Sequence, residues 1–206
     1  MTRGTPPSIE LIAADAALRF SKPNDRFEHR FCIHVDQRWV NLLESHLLDP
    51  LAPWPSDPAI QQLVVEPIGT PPYLDVALGV GMSGHGHWSL AAQWIARPDS
   101  GAEVQLDYAC KLNPPVDFLG STYQIPQDLA SMGLSLDRVD STNRKWTGRF
   151  LVGALQNRYD LTIEAIEGDL NWDAKRQEIQ LLPSGTWEKP STVRWCHRIA
   201  WLSCHE

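Results

Sequence analysis

Apolar and polar residues alternate with a period of two along most of this chain. From Arg26, Phe27, His29, Phe31, Ile33 and Val35 alternate with Glu28, Arg30, Cys32, His34 and Asp36, the pattern of a strand with one buried face. Asp36-Gln37 then reads as a turn, and Arg38 to Leu43 as the returning strand of a hairpin. The same alternation recurs in Lys145–Val152, with Trp146, Gly148, Phe150 and Val152 on one face. It recurs again in Thr192–Leu202, with Val193, Trp195, His197, Ile199 and Trp201 on one face. Pro72–Leu112 holds three candidate strands and is expected to be the middle of the fold. Between its first two strands lies the densest run of glycine and histidine, Gly79 to His87.

Ten to eleven strands are counted in this way, separated by turn signals. That spacing predicts an all-β, mainly antiparallel fold: a single-domain β-sandwich or closed β-barrel of about ten strands, with one or two short helices. One helix is expected in the N-terminal region, where Leu11, Ala14 and Leu18 follow Ser8 at helical spacing. Residues 1–24 therefore read as an arm with a short helix, and 25–206 as one antiparallel β domain. His46–Pro58 carries four prolines in thirteen residues and reads as a rigid loop or lid around Trp54. Asp169 to Asp173 reads as a turn. Its Asp-x-Asn-x-Asp spacing matches the start of a calcium loop, but Ala174 and Gln180 stand where that loop needs glycine and glutamate.

Charge narrows the function classes. The net charge is −7, and it is shared between the halves. No basic stripe is available for phosphates, so neither nucleic acid nor an anionic membrane surface is an expected partner. No apolar run is long enough to span a bilayer, and the first twenty residues do not read as a secretory signal. The four cysteines are scattered, so reduced thiols in a cytoplasmic setting are expected. Cys110 falls on the apolar face of its strand and is expected to be buried and inert. Nine tryptophans suit either a large β core or a stacking platform for a flat ligand.

The Gly79–His87 run carries the candidate chemistry. Gly79-Val80-Gly81-Met82-Ser83-Gly84 has the letters of a dinucleotide fingerprint. That fingerprint needs a helix to open at its third glycine, whereas the period from Trp88 is two, so a glycine-rich hairpin is the preferred reading. Gly79 followed by five residues and then His85-Gly86-His87 resembles the opening of the first cupin motif. The resemblance covers nine residues. It implies that His85 and His87 share one strand face and hold a divalent metal, with a third ligand from Asp75, Asp107, His29 or His197. The glutamate of that motif has Ala91 and Ala92 in its place, and the second motif has no counterpart. Gly86-His87-Trp88 also spells the G-x-W of lipocalins, though mid-chain rather than near the start.

The leading expectation is a non-catalytic domain that binds a small molecule or a protein, with a homodimer among the possible assemblies and no cofactor. Its site is expected at an open end near Trp88, with Ser83, His85 and His87. The alternative is a cupin-like metal-dependent enzyme or metal-binding barrel using His85 and His87.

Overall fold

A computed structural model of the chain describes residues 8–46, 57–70, 74–97, 101–113, 116, 118–131, 134, 136–139, 141–152, 157–185 and 190–204. Among them are fifteen strands and one short helix. In chain order these are β1 (Ser8–Ala13), β2 (Ala16–Ser21), β3 (Glu28–Val35), β4 (Arg38–Ser45), β5 (Gln62–Ile68), β6 (Leu74–Ser83), β7 (Gly86–Ile95), β8 (Gly101–Leu112) and β9 (Ser121–Gln124). There follow α1 (Gln127–Ser131), β10 (Leu136–Arg138), β11 (Lys145–Val152), β12 (Asn157–Glu167), β13 (Asp169–Asp173), β14 (Glu178–Leu182) and β15 (Ser191–Cys204).

The strands form two antiparallel sheets. One has the order β1-β2-β3-β4-β9-β14-β13 and the other β10-β11-β12-β15-β8-β7-β6-β5. Each order has two free ends, so neither sheet is the closed barrel that the alternation also allowed. The strand count is fifteen rather than about ten. The N-terminal helix is likewise overturned, because residues 8–21 are the β1–β2 hairpin with Leu11 opposite Leu18. The sequence misleads here because its spacing fits both periods, and the turn residue Ala14 takes a left-handed φ of 51° that alanine rarely adopts. Asp169–Asp173 is a strand, β13, paired with β14, and not the expected turn.

Turn chemistry explains the β3–β4 register. Asp36 and Gln37 have φ values of 49° and 62°, the two positive φ angles that a tight hairpin turn matched to strand twist requires. The three central strands pair as adjacent neighbours, β6 with β7 and β7 with β8. The inward faces of both sheets contribute to one apolar cluster running from Leu11 in β1 to Trp201 in β15. β8 shows its origin plainly: Ala102, Val104, Leu106, Tyr108, Cys110 and Leu112 are buried at every second position. β15 lies inside its sheet, paired with β12 over Cys196–Cys204 on one side and with β8 over Ser191–Leu202 on the other.

One irregular segment, residues 57–61, straps the two sheets together. Phe27 N–H donates to Ile60 O at 2.7 Å, and Gln61 N–H donates to Val80 O at 2.9 Å. Lys22 Nζ adds a bond to Gln61 O at 2.7 Å. The expected lid begins beside this strap, but most of it, Trp54 included, lies outside the described residues.

Candidate functional site

The glycines of the fingerprint-like run serve packing. A Cβ on Gly81 would lie 1.8 Å from Ala59 O and 2.8 Å from Gln61 N, and one on Gly79 would lie 2.6 Å from Ile60 Cγ2. The strap therefore lies directly on the inner face of β6, and only glycine allows that approach. The third glycine, Gly84, has φ 54° and opens a two-residue turn between Ser83 and Gly86. No helix follows, so the fingerprint's requirement for a helix N-terminus is unmet.

This turn separates the two histidines. His85 sits in the turn, while His87 is on β7, paired with Met82. They do not share a strand face as the cupin resemblance implied. The possible third ligands are engaged elsewhere. Asp107 pairs with Arg194 at 2.9 Å, Asp75 is exposed on β6, and His29 and His197 are in the core. Among the described residues, no three of His, Cys, Asp or Glu are grouped so as to hold a metal ion.

An open pocket of about 350 Å³ lies beside the turn, lined by Gln61, Gln62, Val80, Gly81, Met82, His87 and Trp88. Two of the four expected site residues, His87 and Trp88, are brought together there. Ser83 and His85 are not among its lining residues. Trp88 is only 3% exposed, and its ring meets Trp195 edge-on at 5.9 Å. It acts as a floor and not as the open stacking platform expected of it. Gln61 is fixed as a wall by accepting the Met82 N–H on its side-chain oxygen at 3.0 Å.

Among the described residues, the pocket wall carries no Lys, Arg, Asp or Glu. Along the outer surface of β5 and β6, Val64 and Leu78 are exposed beside Val80 and Met82, with Val64 opposite Leu78 and Gln62 opposite Val80. Elsewhere on this sheet the outward positions of β8 and β15 are charged and paired, as in Arg194–Asp107 and Arg198–Glu103.

A second constellation is wholly interior. Tyr123 Oη lies 2.8 Å from His29 Nε2 and 2.9 Å from His197 Nε2, joining β3 and β9 of one sheet to β15 of the other. Burial pushes both imidazoles down to about 3, so both are neutral at physiological pH. Tyr108 lies stacked between Trp195 and His197, with centroids 5.4 and 5.8 Å away. Trp195 Nε1–H donates to Ser121 Oγ at 3.0 Å. Asp57, at the head of the strap, is buried, and its carboxyl is pushed well above the usual range by desolvation, opposed by Ser45 and the Thr122 backbone. Sequence reasoning did not single out Gln61, Gln62, Val80 and Met82, or the partnership of His29, Tyr123 and His197. The available signal was that His29 and His197 each fall on the apolar face of an alternating strand, where a histidine needs a buried partner.

Cys110 behaves as its place on the apolar face of β8 suggests, whereas Cys32 and Cys196 are buried although the alternation puts them on outward faces. Cys32, Cys110 and Cys196 are buried and unpaired with one another, and burial raises the Cys110 thiol to about 12. Among the described residues, no helix is long and apolar enough to cross a membrane. Neither a known family model nor any curated protein matches the chain.

Proposed function

We propose that the chain is a non-catalytic β-sandwich that binds an uncharged small molecule in the pocket between the strap and the β6–β7 hairpin. The observation that carries this reading is the composition of the pocket wall. Its volume falls in the range of small-molecule sites. Two amides and an imidazole offer hydrogen bonds in both directions, while Val80, Met82 and Trp88 offer apolar surface. The described lining side chains themselves carry no full charge, and a molecule with an apolar body and a hydroxyl or amide group would find partners for both parts. The exposed Leu78 and Val64 extend the apolar track from Val80, which suits a ligand longer than the pocket.

Methyl NMR on protein labelled at methionine tests this with a neutral amphiphile, n-octyl glucoside, kept below its micelle concentration. The Met82 methyl resonance is expected to shift saturably, and Val80→Lys is expected to abolish the shift while leaving the fold intact. A Met82 signal that stays still throughout the titration, or that shifts equally in the Val80→Lys variant, overturns the assignment.

A further inference from the structure

The interior constellation encloses a cavity lined by Phe20, Phe27, His29, Asp57, Ile60 and Tyr108, among others, with about 10 Å³ open to the centre of a water molecule. That is the size of a single water site. Two polar atoms among its lining residues are buried without a hydrogen-bond partner in the protein, Asp57 Oδ1 and Tyr108 Oη. The Tyr123 and Ser121 hydroxyls act on Tyr108 Oη as hydrogen-bonding neighbours, but neither meets it with full hydrogen-bond geometry.

The tautomers of the two histidines supply a third polar group. Tyr123 has one proton to donate and lies between two Nε2 atoms, so one imidazole must donate to it and the other must accept. His197 Nδ1 is buried without a partner. A proton there would be an orphaned donor, which costs more than an idle acceptor. The proton of His197 is therefore on Nε2, donating to Tyr123, and Tyr123 donates to His29 Nε2. This leaves the proton of His29 on Nδ1, in a side chain that lines the cavity.

We propose that this cavity is a binding site for one internal water, which accepts from Tyr108 and His29 and donates to Asp57 Oδ1. The water completes a hydrogen-bonded path from His197 in one sheet, through Tyr123 and His29 in the other, to Asp57 at the head of the strap. Ser45 stands beside it: its Oγ accepts the His29 backbone N–H at 2.9 Å and acts on the Asp57 carboxyl as a hydrogen-bonding neighbour. The water thereby anchors the strap whose other end, Gln61, walls the surface pocket. The inference stands whatever that pocket binds.

A crystal structure at about 1.5 Å resolution tests the site directly. An electron-density peak within hydrogen-bonding distance of both Asp57 Oδ1 and Tyr108 Oη is expected, and a featureless cavity overturns the proposal. Thermal unfolding gives an independent reading. If Tyr108 holds the water, Tyr108→Phe lowers Tm by about 2–4 °C, and the same change in an Asp57→Ala background lowers it by clearly less. If the hydroxyl has no partner, its removal relieves an unsatisfied group and Tm stays level or rises. That result, or strictly additive Tm shifts, counts against the water.

Discussion

Replacing Gly81 by alanine puts the strap to a severe test. The added Cβ would lie 1.8 Å from Ala59 O, where real contacts stay beyond 3.0 Å. The opposing atom is a backbone carbonyl, so no rotamer change relieves the clash, and the strap must retreat from β6 by more than 1 Å. Two hydrogen bonds depend on its present position, Gln61 N–H to Val80 O and Met82 N–H to Gln61 Oε1. Overpacking of this kind costs about 1–3 kcal/mol, and each lost bond about 1 kcal/mol, for a total of about 3–5 kcal/mol. A typical domain has about 5–15 kcal/mol of stability, so Gly81→Ala is expected to fold marginally. Urea unfolding followed by tryptophan fluorescence measures the loss as a lowered midpoint. An unfolding free energy within about 1 kcal/mol of the parent protein's, taken from the midpoint and slope, would falsify the packing role, because the strap would then move freely. A glycine present only for hairpin flexibility predicts that small effect.

Acid sensitivity follows from the interior histidines. The unfolded chain takes up protons on His29 and His197 below about pH 6.5, while the fold resists until about pH 3. The unfolded state thus binds more protons across that window, and stability falls as the pH drops through it. Asp57 acts in the opposite sense, since its acid form is favoured in the fold and its contribution declines as the pH rises above 3.8. The urea midpoint is expected to fall by several tenths of molar between pH 6.5 and 4, and more steeply in Asp57→Asn; a midpoint in Asp57→Asn that is level or rises on acidification contradicts the histidine assignment, and equal slopes in the two proteins contradict that of Asp57. At the β3–β4 turn, Gln37→Gly removes a side chain from a residue with φ 62° and should stabilise by about 1 kcal/mol, read as a higher Tm, whereas a lower Tm means that Gln37 makes a contact worth more than its backbone strain.

The legible part of this fold is the part written in strict alternation. β8, β11 and β15 fall where Val104–Leu112, Lys145–Val152 and Thr192–Leu202 alternate, because a half-buried strand exposes every second residue to a different solvent. The β1–β2 hairpin was illegible because Ala14-Asp15 carries no glycine or asparagine to mark a turn, and alanines suit either period. The site was half legible. Trp88 and His87 could be picked out as unusual residues, but the pocket is walled by Gln61 and Gln62, ordinary side chains that matter only because the strap lies on Gly79 and Gly81. Nothing in the sequence places residue 59 against residue 81. The same holds for Tyr123, whose meeting with His29 and His197 depends on how the two sheets face each other.

The position of β15 has a consequence for how the protein is made. During synthesis Ser191–Cys204 leaves the ribosome after every other strand described here, yet it belongs between β8 and β12. Until it arrives, β5–β8 and β10–β12 are two separate fragments, each with a raw edge where β15 will sit. Most of its partners lie far away in sequence, Arg198 opposite Gln105 for example, so the loop-closure entropy is met late and folding is expected to be slow. Nascent chains spend that interval with two long unpaired edges. Residues that guard those edges before β15 docks, such as the charged Asp107 and Glu103 of β8, therefore act on the yield of folded protein as well as on its final stability.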